Sequence, residues 1–273
     1  MSEKRPFYEL PLSLPVNEGD AVRVMGDIAY LEDDDPDARM DIYLPTSEAP
    51  EGGFVPLLLL HGGPLAASAN VPLPKEWRVF QDYGRLAAAH GLAGVVINHR
   101  YFGYEGLPQA AADVEGAIKF LAQNGEAYHL AGRKLAVWLF SGAGMLMNVL
   151  LSSDIKTPDC LVAFYPLLDL THIPQAAEVF DDNQLMALSP LSQLDRMPPA
   201  MPMFFARAGL DRPGLNRALD TFVKQALYHN LDLELRNLPH AQHGFDMFNQ
   251  SAEVQGAIAR GFEFVKEVSQ FVN

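Results

Sequence analysis

Short apolar runs punctuate the chain near residues 55–61, 92–98, 134–140, 159–165 and 202–208, and residues 231–238 alternate apolar with polar positions. Runs of this length, rich in Val, Leu and aromatics, read as strands, the continuous ones as strands buried on both faces. Between them, near 76–90, 108–124, 142–152, 213–229 and 247–271, apolar positions recur at helical spacing. Residues 20–45 read as an antiparallel strand pair. This alternation predicts an α/β fold: a mainly parallel eight-stranded sheet with an antiparallel N-terminal hairpin and helices on both faces. There is no internal repeat and no low-complexity linker. The expectation is one domain over 1–273, with a short lid-like insertion around 170–200, rich in Pro, Met and Leu. With the loop 64–77, which ends at Trp77, that insertion is expected to shape a pocket. Phe180, Leu185, Met186 and Leu188 read as its acyl lining or as packing.

Ligands of such sheets bind at the carboxyl ends of the strands, and four segments fall there. The run 134–140 ends at Ser141, and Gly142-Ala143-Gly144 lead into the pattern over 145–151. Ser141 is therefore predicted on a sharp strand-to-helix turn, its hydroxyl lifted off the backbone and the Gly142 N–H at the helix start free to meet a developing oxyanion. An ordinary helix N-cap is the other reading of this serine. Asp211 follows the run ending Ala208-Gly209-Leu210 and suits a carboxylate that holds an imidazole; Asp169 is the competing acid and suits a structural turn better. His243 lies in a loop and, with Gly244 after it, is favoured over His240 as the base. His61-Gly62-Gly63-Pro64 follows a buried strand, so Gly62 or Gly63 would offer the second oxyanion donor, while His61 holds the loop shape.

In this order the segments follow the sequence of oxyanion turn, serine, acid and histidine that α/β-hydrolases use. The chain resembles the small esterase and lipase-like group of that superfamily, near its dienelactone-hydrolase and prolyl-oligopeptidase-like relatives, over most of its length. Met40-Asp41-Ile42-Tyr43-Leu44-Pro45 and Asn98-His99-Arg100-Tyr101 add to the likeness. The resemblance implies Ser141 as nucleophile, His243 as base and Asp211 as acid, with Gly62, Gly63 and Gly142 around the oxyanion. It departs from the G-x-S-x-G elbow at Leu139 and Ala143. The expected activity is that of a serine hydrolase, a carboxylesterase for small or medium acyl esters. A small-amide or peptide hydrolase with the same triad, and a ligand-binding protein whose elbow Leu139 distorts, are the alternatives.

Composition narrows the partners. The 273 residues, 49% of them hydrophobic, are enough for one large core, and a net charge of −14 argues against nucleic acid and anionic membranes. The partner expected is a small-molecule ester, with a homodimer left open. No cofactor and no metal is called for: Glu32-Asp33-Asp34-Asp35 reads as a solvated hairpin tip. Cys160, the single cysteine, excludes an internal disulfide and reads as core. Arg100 and Asp113 are expected to pair and brace the sheet. A polar start, Met1 to Pro6, without an apolar signal stretch points to a soluble, cytoplasmic protein.

Overall fold

The computed structural model describes residues 5–17, 21–66, 71–152, 154–198 and 201–271. Residues 1–4 of the polar start, 67–70 of the first loop and 199–200 of the insertion lie outside the described residues.

Eight strands form one sheet: β1 (Val22–Ala29), β2 (Arg39–Pro45), β3 (Pro56–Leu60), β4 (Ala93–Ile97), β5 (Ala136–Phe140), β6 (Cys160–Phe164), β7 (Met203–Ala208) and β8 (Leu233–Leu238), in the order β1-β2-β4-β3-β5-β6-β7-β8. β1 runs antiparallel to β2, and β2 antiparallel to β4; from β4 onward every pairing is parallel. Side chains of the central strands divide by period two. Leu58, Leu60, Val137, Leu139, Leu161 and Ala163 enter one core layer, and Leu57, Leu59, Trp138, Phe140, Val162 and Phe164 the other.

Helices close both layers. Over the first lie α2 (Leu107–Asn124), through Val114, Ile118 and Leu121, and α5 (Pro213–Tyr228), through Leu219 and Phe222. Over the second lie α1 (Arg78–Ala89), through Val79, Tyr83 and Leu86, and α7 (Ala252–Phe271), through Val254, Ile258 and Phe262. Each such side chain, fully buried, contributes about 1.5–3 kcal/mol. Between β6 and β7 the chain forms two short helices, α3 (Pro174–Ala177) and α4 (Asp182–Leu188), the latter opened by a capping box between Asp181 and Gln184. Leu185, Leu194 and Met197 sink into the core, and Phe180 and Leu188 pack on it.

Two expectations need correction. The stretch expected as a helix over 142–152 winds as tighter 3₁₀ turns, Ser141–Leu151, and within it Gly144 is pressed so closely on the Leu167 main chain that a Cβ there would collide with the carbonyl. The C-terminal helix breaks into α6 (Phe245–Phe248) and α7, since Asn249 is extended and its side-chain oxygen accepts the Gln242 N–H at 3.1 Å. The acidic tip lies in the turn between β1 and β2 with Glu32, Asp33 and Asp34 exposed, as expected, and it also binds two arginines: Asp33 and Asp35 bind Arg100 Nη1 at 2.9 and 2.7 Å, and Asp34 binds Arg39 at 2.7 Å. Arg100 and Asp113 do pair, with two side-chain bonds of 2.9 and 2.6 Å and a third, 2.9 Å, from the Arg100 N–H. Cys160 is buried and unbridged, and burial pushes its thiol up to about 12. No helix among the described residues is long and apolar enough to cross a membrane.

Candidate active site

β5 ends at Phe140, and the next residue turns sharply: Ser141 has φ +53°, in the left-handed region that L-residues seldom occupy. Such strain persists only where the surroundings impose it. Here they do, since Phe140 packs among Phe80, Tyr83, Trp138 and Phe164 behind the turn, and the Ser141 carbonyl accepts the Leu167 N–H at 2.8 Å. Leu139 does not prevent the turn. It is buried in the other core layer, in register with the small Ala163 of β6, and Ala143 lies in the same layer.

The Ser141 hydroxyl lies 2.7 Å from His243 Nε2, and His243 Nδ1 lies 2.6 Å from Asp211 Oδ2. These three groups come from the ends of β5, β8 and β7 and are 102 and 32 residues apart along the chain. The second Asp211 oxygen accepts the Arg212 N–H at 2.7 Å, and the carboxylate is almost fully buried while the imidazole stays partly open to solvent. A carboxylate so placed holds the imidazole with its proton on Nδ1, leaving Nε2 to accept the serine proton. His240 is exposed and takes no part. Asp169 instead accepts the N–H and hydroxyl of Thr171, a structural turn.

The glycines stand opposite. A Cβ on Gly142 would collide with the Gly63 carbonyl, and one on Gly63 with the Tyr101 ring, so the two main chains approach only because both residues lack side chains. Among the described residues neither Gly62 nor Gly63 donates its N–H to a main-chain acceptor. Gly142 sits in the first turn after Ser141, where helical N–H groups have no partner within the helix. This turn is braced from below by two buried, stacked imidazoles, His61 and His99, with ring centroids 3.7 Å apart. His61 Nδ1 donates to the Gly62 carbonyl at 2.8 Å while its Nε2 accepts the His99 N–H at 3.3 Å, which requires a neutral ring. Burial agrees, pushing His61 down to about 4 and His99 well below its ordinary value.

A cavity of about 250 Å³ opens on the hydroxyl, lined by Gly62, Gly63, Trp77, Phe80, Tyr165 and Met247 among others. No described residue of the 170–198 segment lines it: Leu185 is core, and Met186 is 54% exposed. Sequence reasoning missed the polar floor. Asp246 is buried beside His243 and accepts the hydroxyls of Tyr165 at 2.6 Å and Tyr83 at 3.1 Å. Burial raises its carboxyl, the two tyrosines working against that, while burial and the nearby carboxylate keep both phenols protonated. The available signal was an acid three residues after His243, inside an otherwise apolar segment. Among the described residues no group of three or more His, Cys, Asp or Glu is arranged to hold a metal ion.

The family model described as BD-FAE matches residues 40–208. No curated protein sequence matches the chain. Among solved structures, a truncated carbohydrate esterase from gut microbiota superposes with a TM-score of 0.75 at 15% identity, over 96% of this chain and 100% of that one. Esterase B from Lactobacillus rhamnosis, inhibited by a tributyrin phosphonate, gives 0.75 at 13% identity, over 94% and 88%. MGS-M1, an α/β hydrolase enzyme from a Medee basin deep-sea metagenome library, gives 0.69 at 16%, over 92% and 100%. At these identities the likeness is one of fold, that of the α/β hydrolases.

Proposed function

The chain belongs to the BD-FAE family and has the α/β-hydrolase fold, and from that premise we propose that it is a serine hydrolase cleaving small or medium carboxylic esters. The observation that carries this reading is the continuous hydrogen-bonded line from Ser141 Oγ through His243 to Asp211, ending at an open apolar cavity. The solved neighbours, carbohydrate esterases and esterase B among them, favour an ester over other acyl substrates.

In this mechanism Ser141 Oγ attacks the ester carbonyl carbon as its proton passes to His243 Nε2. The carbonyl π-electrons move to oxygen, and the oxyanion is met by the N–H of Gly142 and that of Gly62 or Gly63. The C–O bond to the alcohol then breaks, the Nε2 proton going to the departing oxygen, and an acyl group remains on Ser141. Water repeats the sequence with His243 again as base, releasing the acid. Asp211 stays ionised throughout and stabilises the imidazolium.

A fluorophosphonate probe tests the nucleophile. Wild-type protein is expected to label at residue 141 and Ser141→Ala not at all. Absence of labelling in folded wild-type protein overturns the proposal. A panel of p-nitrophenyl esters set against the matching anilides then separates esterase from amidase: faster cleavage of the anilides would reassign the reaction.

A further inference from the structure

The relay of Ser141, His243 and Asp211 makes no use of a second buried carboxylate that stands beside it, Asp246. This residue follows His243 by one turn of chain, across Gly244 in the left-handed region (φ +71°), and it lines the cavity at Ser141 although only 2% exposed. Its Oδ1 accepts the hydroxyl of Tyr165, from the turn after β6, at 2.6 Å, and its Oδ2 that of Tyr83, from α1, at 3.1 Å. Two phenols donating to two oxygens is the partner set of an ionised carboxylate. The main chain here is pinned as well: the Asp246 carbonyl accepts the Ser13 N–H at 2.6 Å, and the Phe245 carbonyl the Ser13 hydroxyl at 3.3 Å. Asp246 is thereby held in one orientation, and the Tyr165 ring that it tethers lies 4.7 Å from the imidazole of His243.

We propose that Asp246 is a positioning residue for ester cleavage, its charge joining that of Asp211 in stabilising the imidazolium that His243 becomes when it takes the Ser141 proton. The inference rests on the serine-hydrolase reading above. The titratable groups that face Asp246 are Tyr83, Tyr165 and His243, and of these only the histidine turns positive during the reaction. Opposite charges favour each other's ionised forms reciprocally. A positive His243 works against the burial that raises the Asp246 carboxyl, and the ionised carboxyl in turn favours the protonated imidazole. The two acids divide the work. Asp211 bonds Nδ1 directly and fixes the tautomer, with its other oxygen on the Arg212 N–H and the exposed Arg212 guanidinium 3.8 Å away. Asp246 spends its oxygens on the phenols and acts by its field, which in so buried a place is screened little by salt.

The pH profile of kcat/KM for p-nitrophenyl acetate tests this, because its acid limb marks protonation of the base in the free enzyme. Asp246→Asn keeps the size of the side chain and an oxygen for Tyr165 but carries no charge. Its protonated imidazole loses a favourable neighbour, so the acid limb is expected about half a pH unit or more below that of wild type, and the plateau about three-fold or more lower. A carboxylate that only holds the fold together would lower the melting temperature of this variant and leave the limb in place. An acid limb unmoved or raised in folded Asp246→Asn therefore overturns the proposal. Should the variant not fold, carbon-13 NMR of the wild-type protein decides: the Asp246 carboxyl is expected to be ionised at the pH of full activity and to show a step where His243 titrates. A carboxyl that still carries its proton there, or a curve without that step, overturns the proposal. Wild-type protein that cleaves the ester yet fails these tests sinks only the role of Asp246, whereas protein that neither labels with fluorophosphonate at Ser141 nor cleaves any ester sinks both readings.

Discussion

The ring of Tyr165 lies 4.7 Å from the imidazole of His243, tilted by 58°, and its hydroxyl donates to Asp246 at 2.6 Å. Tyr165 is itself strained, with φ +40°, at the turn that follows β6. The phenol thus ties the wall of the histidine to a buried carboxylate. Removing the hydroxyl in Tyr165→Phe strips one of two side-chain donors from a buried anion, and a loss of about 1–3 kcal/mol is expected. Urea unfolding at pH 7 measures it, and a change below a few tenths of a kcal/mol would mean that the bond does not hold the floor together.

The same carboxylate makes stability depend on pH. Its value is raised in the folded state, so between the ordinary carboxylate value and the raised one the native protein holds more protons than the unfolded chain, and stability falls as pH rises through that window. Asp246→Asn removes this titration while keeping an oxygen for Tyr165 and offering an N–H to Tyr83. Melting temperature against pH is expected to lose that downward component in the variant, and parallel curves for the two proteins would contradict it.

His61 and His99 act in the opposite sense. With His61 pushed down to about 4 and His99 well below its ordinary value, both by burial, the unfolded chain takes up protons first as pH falls below the ordinary histidine value. Stability is therefore present above about pH 6.5 and lost on the way to pH 4, on the order of 3 kcal/mol from His61. His61→Asn keeps a donor for the Gly62 carbonyl but removes the titration. Its stability is expected to be lower at pH 7, through the lost stacking, and flatter between pH 6.5 and 4, and the same acid slope in both proteins would place the proton uptake elsewhere.

These contrasts explain what the sequence did and did not reveal. Five strands declare themselves as apolar runs, and the observed boundaries at Pro56–Leu60 or Cys160–Phe164 fall within a residue or so of those expected, because burial on both faces leaves no room for polar positions. Ser141, Asp211 and His243 could be nominated from the sequence because each lies in a segment after a strand that also holds a glycine, Gly142, Gly209 and Gly244. Tyr165, Asp246 and Tyr83 were not: their meeting joins residues 81 and 163 apart, a fact of tertiary packing with no local pattern. The approach of Leu167 to Gly144 is likewise a tertiary contact that the helix-forming residues after Ser141 do not announce.

The Arg100–Asp113 pair joins the end of β4 to α2 and, through Asp33 and Asp35, to the turn between β1 and β2. Asp113 is buried, with Gln109 adding a fourth donor at 3.0 Å. Breaking it by Asp113→Ala leaves the guanidinium without its innermost partner and is expected to cost about 3–5 kcal/mol. Asp33→Ala, at the exposed side of the same guanidinium, is expected to cost less than about 1 kcal/mol. Equal losses on denaturant unfolding would show that the solvated acids and not the buried one carry the brace.

Position 141 separates stability from activity. A residue with a side chain at φ +53° carries strain that glycine would relieve. Ser141→Gly and Ser141→Ala both lack the hydroxyl, so both are expected to lose ester cleavage by about 10⁴-fold or more. They differ in the backbone: alanine retains the Cβ, whereas glycine adopts the left-handed turn freely, and Ser141→Gly is expected to be the more stable of the two by about 1 kcal/mol. Gly142→Ala completes the set, because its Cβ meets the Gly63 carbonyl and must push the two main chains apart. With Ser141, His243 and Asp211 all retained, it is expected to lose about 10²-fold or more in kcat through the displaced donors. Full activity in Gly142→Ala would remove these main-chain N–H groups from the mechanism, and a less stable Ser141→Gly would mean that the turn is not held under strain.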